Sequence, residues 1–318
     1  MKLVSYKANN LEHLGLVVEN KIYNLAQNAS ILGKSLPDSM AHFLNAGDEA
    51  MKVAHQVNTA IASGSMKAVA ADVNESALLA PVPHPTSCRD GYAFRQHVEA
   101  ARRNRKVPMI AEFDQYPIFY FTNHNAIQGP GEIFCMPDHF QKLDFELEVS
   151  VVIGKKGRNI KAADADSYIA GYMIMNDMSA RTLQMEEMAL NLGPAKGKDF
   201  STVIGPWLVT PDELEPYKTA PKAGHVGNNY DLPMVCKVNG KIVSEGNMKS
   251  MDWTFAEIIE RCAYGVDILP GDVIGSGTVG TGCFLELNGT GLLNDPNYKV
   301  QWLQPNDVVE MEIKGLGH

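Results

Sequence analysis

Leu143-Asp144-Phe145-Glu146-Leu147-Glu148-Val149-Ser150-Val151-Val152-Ile153-Gly154 reads as a β-strand, because apolar and acidic residues alternate and a β-branched run follows. A period of two puts Glu146 and Glu148 on one face, roughly 6–7 Å apart along the strand. Two carboxylates so placed repel each other unless positive charge lies between them. On a surface strand they would simply be solvated. The rest of this strand is too apolar for full exposure, and a buried pair needs a hard divalent metal, a proton or a basic partner. A metal is the preferred reading.

Outward from this strand the chain is rich in strands. Ile118–Phe121, Tyr172–Met175, Trp207–Val209, Met234–Val238 and Val308–Ile313 all read as strands. Asn239-Gly240, set between Val235–Val238 and Lys241–Val243, is the clearest hairpin signal. Helical patterns fall near 94–104, near 179–190, and over Thr254–Cys262, with Asp252 or Thr254 at its N-cap. Toward the N-terminus, Leu14–Val18 and Ile22–Leu25 flank a turn, and residues 37–63 space their apolar side chains as a helix does. Three prolines in Pro81-Val82-Pro83-His84-Pro85 exclude helix and mark a boundary. The expectation is a small N-terminal α/β domain over 1–80 and a larger domain over 81–318. With no βαβ alternation and no internal repeat, the class is α+β, mostly β.

At 318 residues the chain can bury an ample core, and 45% hydrophobic with 20% charged residues is ordinary for a globular protein. A net charge of −9 argues against non-specific nucleic-acid binding. No apolar run has membrane-helix length, and Met1–Tyr6 starts like a strand rather than a secretion signal. Five scattered cysteines without a C-x-x-C pair fit free thiols in a reducing cytoplasm and no zinc site.

Three further segments carry polar residues in apolar or glycine-rich settings. In Asp90-Gly91-Tyr92-Ala93-Phe94-Arg95-Gln96-His97, His97 lies near a helix start and is either structural or catalytic, with Asp90 a candidate ligand or orienting group. In Asn176-Asp177-Met178-Ser179-Ala180-Arg181-Thr182-Leu183-Gln184, a strand gives way to a helix. There Asp177 is an N-cap or a ligand, and Arg181 and Gln184 share a face suited to a carboxylate or a developing oxyanion. Leu192–Phe200 is a Gly/Pro loop with Lys196 and Lys198 that lacks P-loop spacing, so it is either solvated or a donor loop. Gly275-Ser276-Gly277-Thr278-Val279-Gly280 matches a dinucleotide fingerprint in spacing. The reading rejects it because Cys283–Gly289 looks like a strand, whereas such a loop must open a helix. Glu286, between apolar neighbours, faces either solvent or a site.

Together these pieces resemble the fumarylacetoacetate hydrolase family from about Cys88 to Asn288: Asp90-x-Tyr92 with Arg95-Gln96-His97, Glu146-Leu147-Glu148, Asn176-Asp177-x-Ser179-Ala180-Arg181 with Gln184, Gly197-Lys198-x-Phe200 and Ser276-Gly277-Thr278. The resemblance implies the family's β-roll catalytic domain behind a smaller N-terminal domain, in a homodimer. It implies Asp90, Glu146, Glu148 and Asp177 as ligands of Mg²⁺ or Ca²⁺, with Mn²⁺ an alternative. It makes His97 the general base, Glu286 its orienting carboxylate, and Arg181, Gln184 and Lys198 the oxyanion or enolate donors. Tyr92 and Thr278 are then substrate contacts, as are Arg181 and Gln184.

The implied reaction is hydrolysis of a C–C bond in a 1,3-dicarbonyl acid of the acylpyruvate or fumarylacetoacetate kind. His97 would activate a water, the donors would hold the tetrahedral oxyanion, and an enolate would leave. The sequence departs from the pattern in places. Met188 stands where fumarylacetoacetate hydrolases carry a substrate-binding Tyr, and the Thr278–Glu286 segment is shorter than theirs. Ala100 stands where the acylpyruvate branch has a Glu three residues after its His, which favours the fumarylacetoacetate-like branch. The basic run Arg102-Arg103-Asn104-Arg105-Lys106 meets a distal substrate carboxylate or is a solvated helix end. Alternatives within the family are an oxaloacetate-type decarboxylase, an isomerase or a 2-oxo-acid hydratase. The alternative outside catalysis is an inactive metal-binding homologue.

Overall fold

Seven consecutive buried residues, Leu147–Ile153, form the strand at the centre of the molecule, seen in a computed structural model that describes residues 1–74 and 77–318. A strand buried on both faces must carry side chains that pack both ways, and period two divides this one between two cores. Val149, Val151 and Ile153 join one core with Tyr172, Phe255, Ile258 and Met234. Val152 joins the other, with Met173, Met175, Val273 and the N-terminal residues Leu3, Leu14, Phe43 and Val57.

The main sheet runs, edge to edge, Lys21–Asn24, Leu11–Val18, Lys2–Ala8, Thr202–Val209, Ile169–Asp177, Leu147–Ile153, Asp272–Gly275, Ser87–Gly91, Phe119–Thr122, with Ile127–Gln128 paired to Thr202–Val209. Its pairings are antiparallel except where Asp272–Gly275 runs beside Ser87–Gly91 and where Ile127–Gln128 meets Thr202–Val209. The expected N-terminal hairpin therefore continues this sheet, and the Met40–Ala62 helix, broken in its φ/ψ at Gly47, lies over it. A second sheet holds Lys241–Asn247, Pro233–Val238 and Val309–Ile313, with the Asn239-Gly240 turn at φ values of 52° and 74° as that hairpin requires. Helices Arg95–Asn104, Arg181–Ala189 and Phe255–Ala263 fall where the sequence predicts them, and Thr254 closes a capping box with Glu257. Helix and strand hold 31% and 29% of the chain, an α+β protein. Among the described residues no helix is long and apolar enough to cross a membrane.

Two expectations are corrected. The 143–153 stretch is two strands, Leu143–Asp144 and Leu147–Ile153. Asp144 Oδ1 accepts the N–H of Phe145 at 3.0 Å, and Asn176 Oδ1 accepts that of Glu146 at 3.1 Å. These side chains replace ladder partners, so the chain turns there and Leu143–Asp144 pairs with Ser179–Ala180 instead. Cys283–Gly289 is not a strand but the start of the helix Phe284–Asn294. A short apolar alternation does not separate the two states.

The ground given for rejecting a dinucleotide loop therefore falls, but the conclusion stands on packing. A Cβ on Gly277, at φ +78°, would lie 2.6 Å from the Gly91 carbonyl, and one on Gly280 would lie 2.4 Å from the Gln96 side chain. The first two N–H groups of the helix are also taken, by Asp144. With its glycines packed against neighbouring chain and the first helix N–H groups already bonded, this loop does not form a pyrophosphate cradle.

Candidate active site

Four neighbouring strands of the main sheet bring the acidic residues to one end of it. Gly275 is paired with Asp90 on one side and with Ser150 on the other, while Met175 is paired with Glu148. Asp90, Glu148 and Asp177 thus converge from the strands themselves, and Glu146 arrives from the bend before Leu147. Donor oxygens of Asp90, Glu146 and Glu148, all buried, lie within 4.8 Å of one another. Asp177 stands beside this trio rather than in it: its Oδ2 accepts from Lys198 Nζ at 2.8 Å and from the Tyr120 hydroxyl in a short contact. Its N-cap reading fails, since the next helix begins at Arg181 behind Ala180 and takes no side-chain cap.

Cations enter from the other side. Arg181 Nη2 donates to Glu146 Oε1 at 2.8 Å, and Lys198 Nζ makes a short contact with Glu146 Oε2. Arg181 Nη1 donates to Gln184 Oε1 at 2.9 Å, so Gln184 turns its oxygen to the guanidinium and keeps its amide N–H groups for another acceptor. The carboxylates Asp90, Asp144, Glu146, Glu148 and Asp177 are each buried, and among the described residues the fixed cations paired with this group are Arg181 and Lys198.

The titration of the cluster follows from that imbalance. Burial pulls Glu146 upward, but Lys198 and Arg181 outweigh it and hold the group at about 2. Burial, then the Asp177 charge, push Asp90 up to about 7. Burial and the Asp90 and Glu146 charges push Glu148 well above the carboxylate range. Burial opposes the positive charge of Lys198, yet Asp177 and Glu146 carry it above its ordinary value.

Two oxygens of the cluster, Glu148 Oε2 and Asp177 Oδ1, are buried without a hydrogen-bond partner. Buried carboxylate oxygens do not stay unpartnered without cost. An all-oxygen, charge-deficient set with two orphan acceptors suits a hard divalent cation and does not suit a thiolate-seeking one. The residues present fit such an ion.

His97, the residue expected to act as base, lies on the Arg95–Asn104 helix. His97 Nδ1 meets Glu286 Oε2 at 2.6 Å, with both side chains buried, and Glu286 Oε1 accepts the N–H of Thr281 at 2.9 Å. Tyr92 stands edge-on to the His97 ring, centroids 6.0 Å apart. Thr278 Oγ1 reaches Glu148 Oε1 at 3.4 Å, so in this structure it touches an acidic residue of the cluster. All eleven residues singled out in the sequence therefore meet at one end of the sheet. Met188 is exposed on its helix.

Two residues of the site, the half-buried Tyr120 and the buried Asp144, escaped the sequence reading. Tyr120 lies on the Phe119–Thr122 strand, and nothing in that apolar run distinguishes it. Asp144 lay in the opening stretch itself, but the alternation there reads it as one acid among three.

The comparisons agree with this architecture. The profile described as fumarylacetoacetate (FAA) hydrolase, C-terminal, matches residues 86–318. The human protein "Oxaloacetate tautomerase FAHD2A, mitochondrial" is 31% identical, covering 100% of this chain and 90% of its own length. The fumarylacetoacetase of Oryza sativa subsp. japonica is 36% identical over 74% of this chain and 63% of its own. Among solved structures, the fumarylacetoacetate hydrolase of Exiguobacterium antarcticum superposes with a TM-score of 0.71 at 23% identity, covering 100% of this chain and 97% of that one. The chain belongs to the fumarylacetoacetate hydrolase family.

Proposed function

We propose that this protein is a divalent-metal-dependent enzyme of small 2-oxo acids that works by moving a proton beside a carbonyl. The observation that carries the reading is the buried His97–Glu286 pair, set at the same end of the sheet as a charge-deficient carboxylate cluster. Asp90, Glu146 and Glu148, with Asp177 beside them, would hold Mg²⁺ or Ca²⁺, and Mn²⁺ fits the same donors. When bound, the ion supplies charge that favours the enol over the keto form of a chelating acid.

The first reading is keto–enol interconversion of an oxaloacetate-class dicarboxylic acid. His97, with Nδ1–H given to Glu286, takes the proton from the carbon beside the carbonyl through Nε2. The carbonyl oxygen becomes an oxyanion, Lys198 and the Gln184 amide stand by to stabilise it, and the proton taken up by His97 returns to that oxygen, completing the enol and restoring the neutral imidazole. Support comes from relatives that match over the whole chain, several of which are named oxaloacetate tautomerases, and from Met188 standing where fumarylacetoacetate hydrolases carry a substrate Tyr.

The second reading is C–C hydrolysis of a 1,3-dicarbonyl acid, with His97 activating water instead. The intact dyad together with Lys198 favours it, as does the likeness to a plant fumarylacetoacetase. Assembly as a homodimer, expected from the resemblance, is part of the proposal.

The deciding experiment is a spectrophotometric panel of oxaloacetate (enol decay and CO₂ release scored separately), acetylpyruvate, fumarylpyruvate and fumarylacetoacetate, with Mg²⁺ and with EDTA. Metal-dependent enol decay alone supports the first reading, and cleavage of any of the last three supports the second. CO₂ release alone moves the chain to the decarboxylases. Silence on all four overturns both.

A further inference from the structure

We infer that Asp144 is the positioning residue of this site: one buried carboxylate seats both the helix that carries Glu286 and the guanidinium of Arg181. The inference rests on the reading of the site given above and adds a residue to it.

Asp144 is fully buried and accepts four hydrogen bonds. Its Oδ1 accepts the N–H of Phe145 at 3.0 Å and of Phe284 at 2.8 Å. Its Oδ2 accepts the N–H of Leu285 at 2.9 Å and Arg181 Nε–H at 2.9 Å, and lies in ion-pair contact with Arg181 Nη2 at 2.8 Å. Phe284 and Leu285 open the helix Phe284–Asn294, and the residue at its N-cap, Cys283, contributes no side-chain cap. A helix start leaves such N–H groups without intrahelical partners, and here a side chain 140 residues away in sequence takes them. Glu286 is the next residue along that helix, and its carboxylate holds His97.

The other half of the Asp144 carboxylate fixes Arg181, whose Nη2 continues to Glu146 and whose Nη1 continues to Gln184. The base pair and the acidic cluster therefore take their relative placement from one group. An Asn at this position has a single acceptor oxygen. Its amide nitrogen would face either the helix N–H groups or the guanidinium, donor against donor. Half of the linkage must open.

The test uses the full-length protein and Asp144→Asn, with Mg²⁺ and the substrate panel. The expected result is an unchanged far-UV circular dichroism spectrum and a kcat lower by about 10–100-fold, the usual cost of losing an orienting partner. KM should change much less, and hydrogen exchange should quicken at Phe284 and Leu285. A merely structural Asp144 would lower Tm while leaving kcat per folded molecule unchanged. Adding Cys283→Ser to Asp144→Asn supplies a local cap, so it should slow the exchange again and recover part of kcat. Wild-type kcat and wild-type exchange in folded Asp144→Asn would overturn the inference. Should Asp144→Asn not fold, the wild-type chain decides: Phe284 and Leu285 amides exchanging like an uncapped helix end would overturn it, and protected ones support it. The exchange arm needs no substrate, so a chain silent on the whole panel sinks the functional reading and leaves this one testable.

Discussion

Glu286 holds His97 by Nδ1 at 2.6 Å, and this leaves Nε2 as the ring nitrogen open to the proton transfer proposed above. With the Nδ1 proton given to a buried carboxylate, Nε2 carries the lone pair. Replacing His97 with Ala removes the base and should lower kcat by about 10²–10⁴-fold on the best substrate of the panel. Glu286→Gln keeps the ring but frees its tautomer, so kcat should fall while KM stays near the wild-type value. Steady-state kinetics of the two variants check this, and unchanged turnover in His97→Ala would sink the proposed proton transfer.

Metal removal should be visible without any substrate. Burial and the neighbouring carboxylates raise Asp90 and Glu148, and Glu148 and Asp177 each keep an unpartnered buried oxygen, so a divalent cation should stabilise the cluster. Mg²⁺ at a hundred times its Kd should add about 2.7 kcal/mol to the folded state, and EDTA should remove it. Glu148→Gln should abolish the Mg²⁺-dependent rise in Tm. It should leave the metal-free Tm equal or slightly higher, since burial and the Asp90 and Glu146 charges already disfavour the ionised form of this carboxyl. Differential scanning calorimetry with and without EDTA reads both outcomes.

Arg181 is the hub of the ion pairs, touching Asp144, Glu146 and Gln184 with one planar fork. Burial works against its charge, but the two carboxylates more than compensate. Arg181→Met leaves Asp144 buried without a cation and Glu146 with Lys198 alone, and should cost about 3–5 kcal/mol in urea unfolding. Arg181→Lys keeps the charge but cannot span the three partners, so its loss should fall between wild type and Met. Equal stability of all three proteins would show that the fork is not what holds this corner.

The strand order was only partly legible in the sequence, and the reasons are local. Runs such as Tyr172–Met175 and Val235–Val238 carry their own period and neighbours, so they read correctly. The site residues stood out because charges inside apolar or glycine-rich context are costly to bury. Glu286 was found despite a wrong element, because FLELNG alternates equally well as a strand, and the cap that makes it a helix comes from Asp144, far away in sequence. The break at Phe145–Glu146 was hidden for the same reason: Asn176 takes the Glu146 N–H from a neighbouring strand. What escaped was the part of the structure decided by partners distant in sequence.

Gly275 tests whether the ligand set depends on the fit of the strands beneath it. A Cβ there would lie 2.4 Å from Asp90 Oδ1 and 2.9 Å from Met175 Sδ, so Gly275→Ala must displace the carboxylate. The fold can accommodate one methyl at about 1–3 kcal/mol, a typical cost of overpacking. Thr254→Ala, which opens the capping box of the Phe255–Ala263 helix far from the acids, costs about 1 kcal/mol by a different route. Matched for stability by a few degrees of assay temperature, the two variants should separate. Thr254→Ala should retain turnover and its Mg²⁺-dependent rise in Tm, whereas Gly275→Ala should lose both. If Gly275→Ala binds Mg²⁺ with wild-type affinity, Asp90 is not a ligand, and the cluster must hold its ion through Glu146, Glu148 and Asp177 instead.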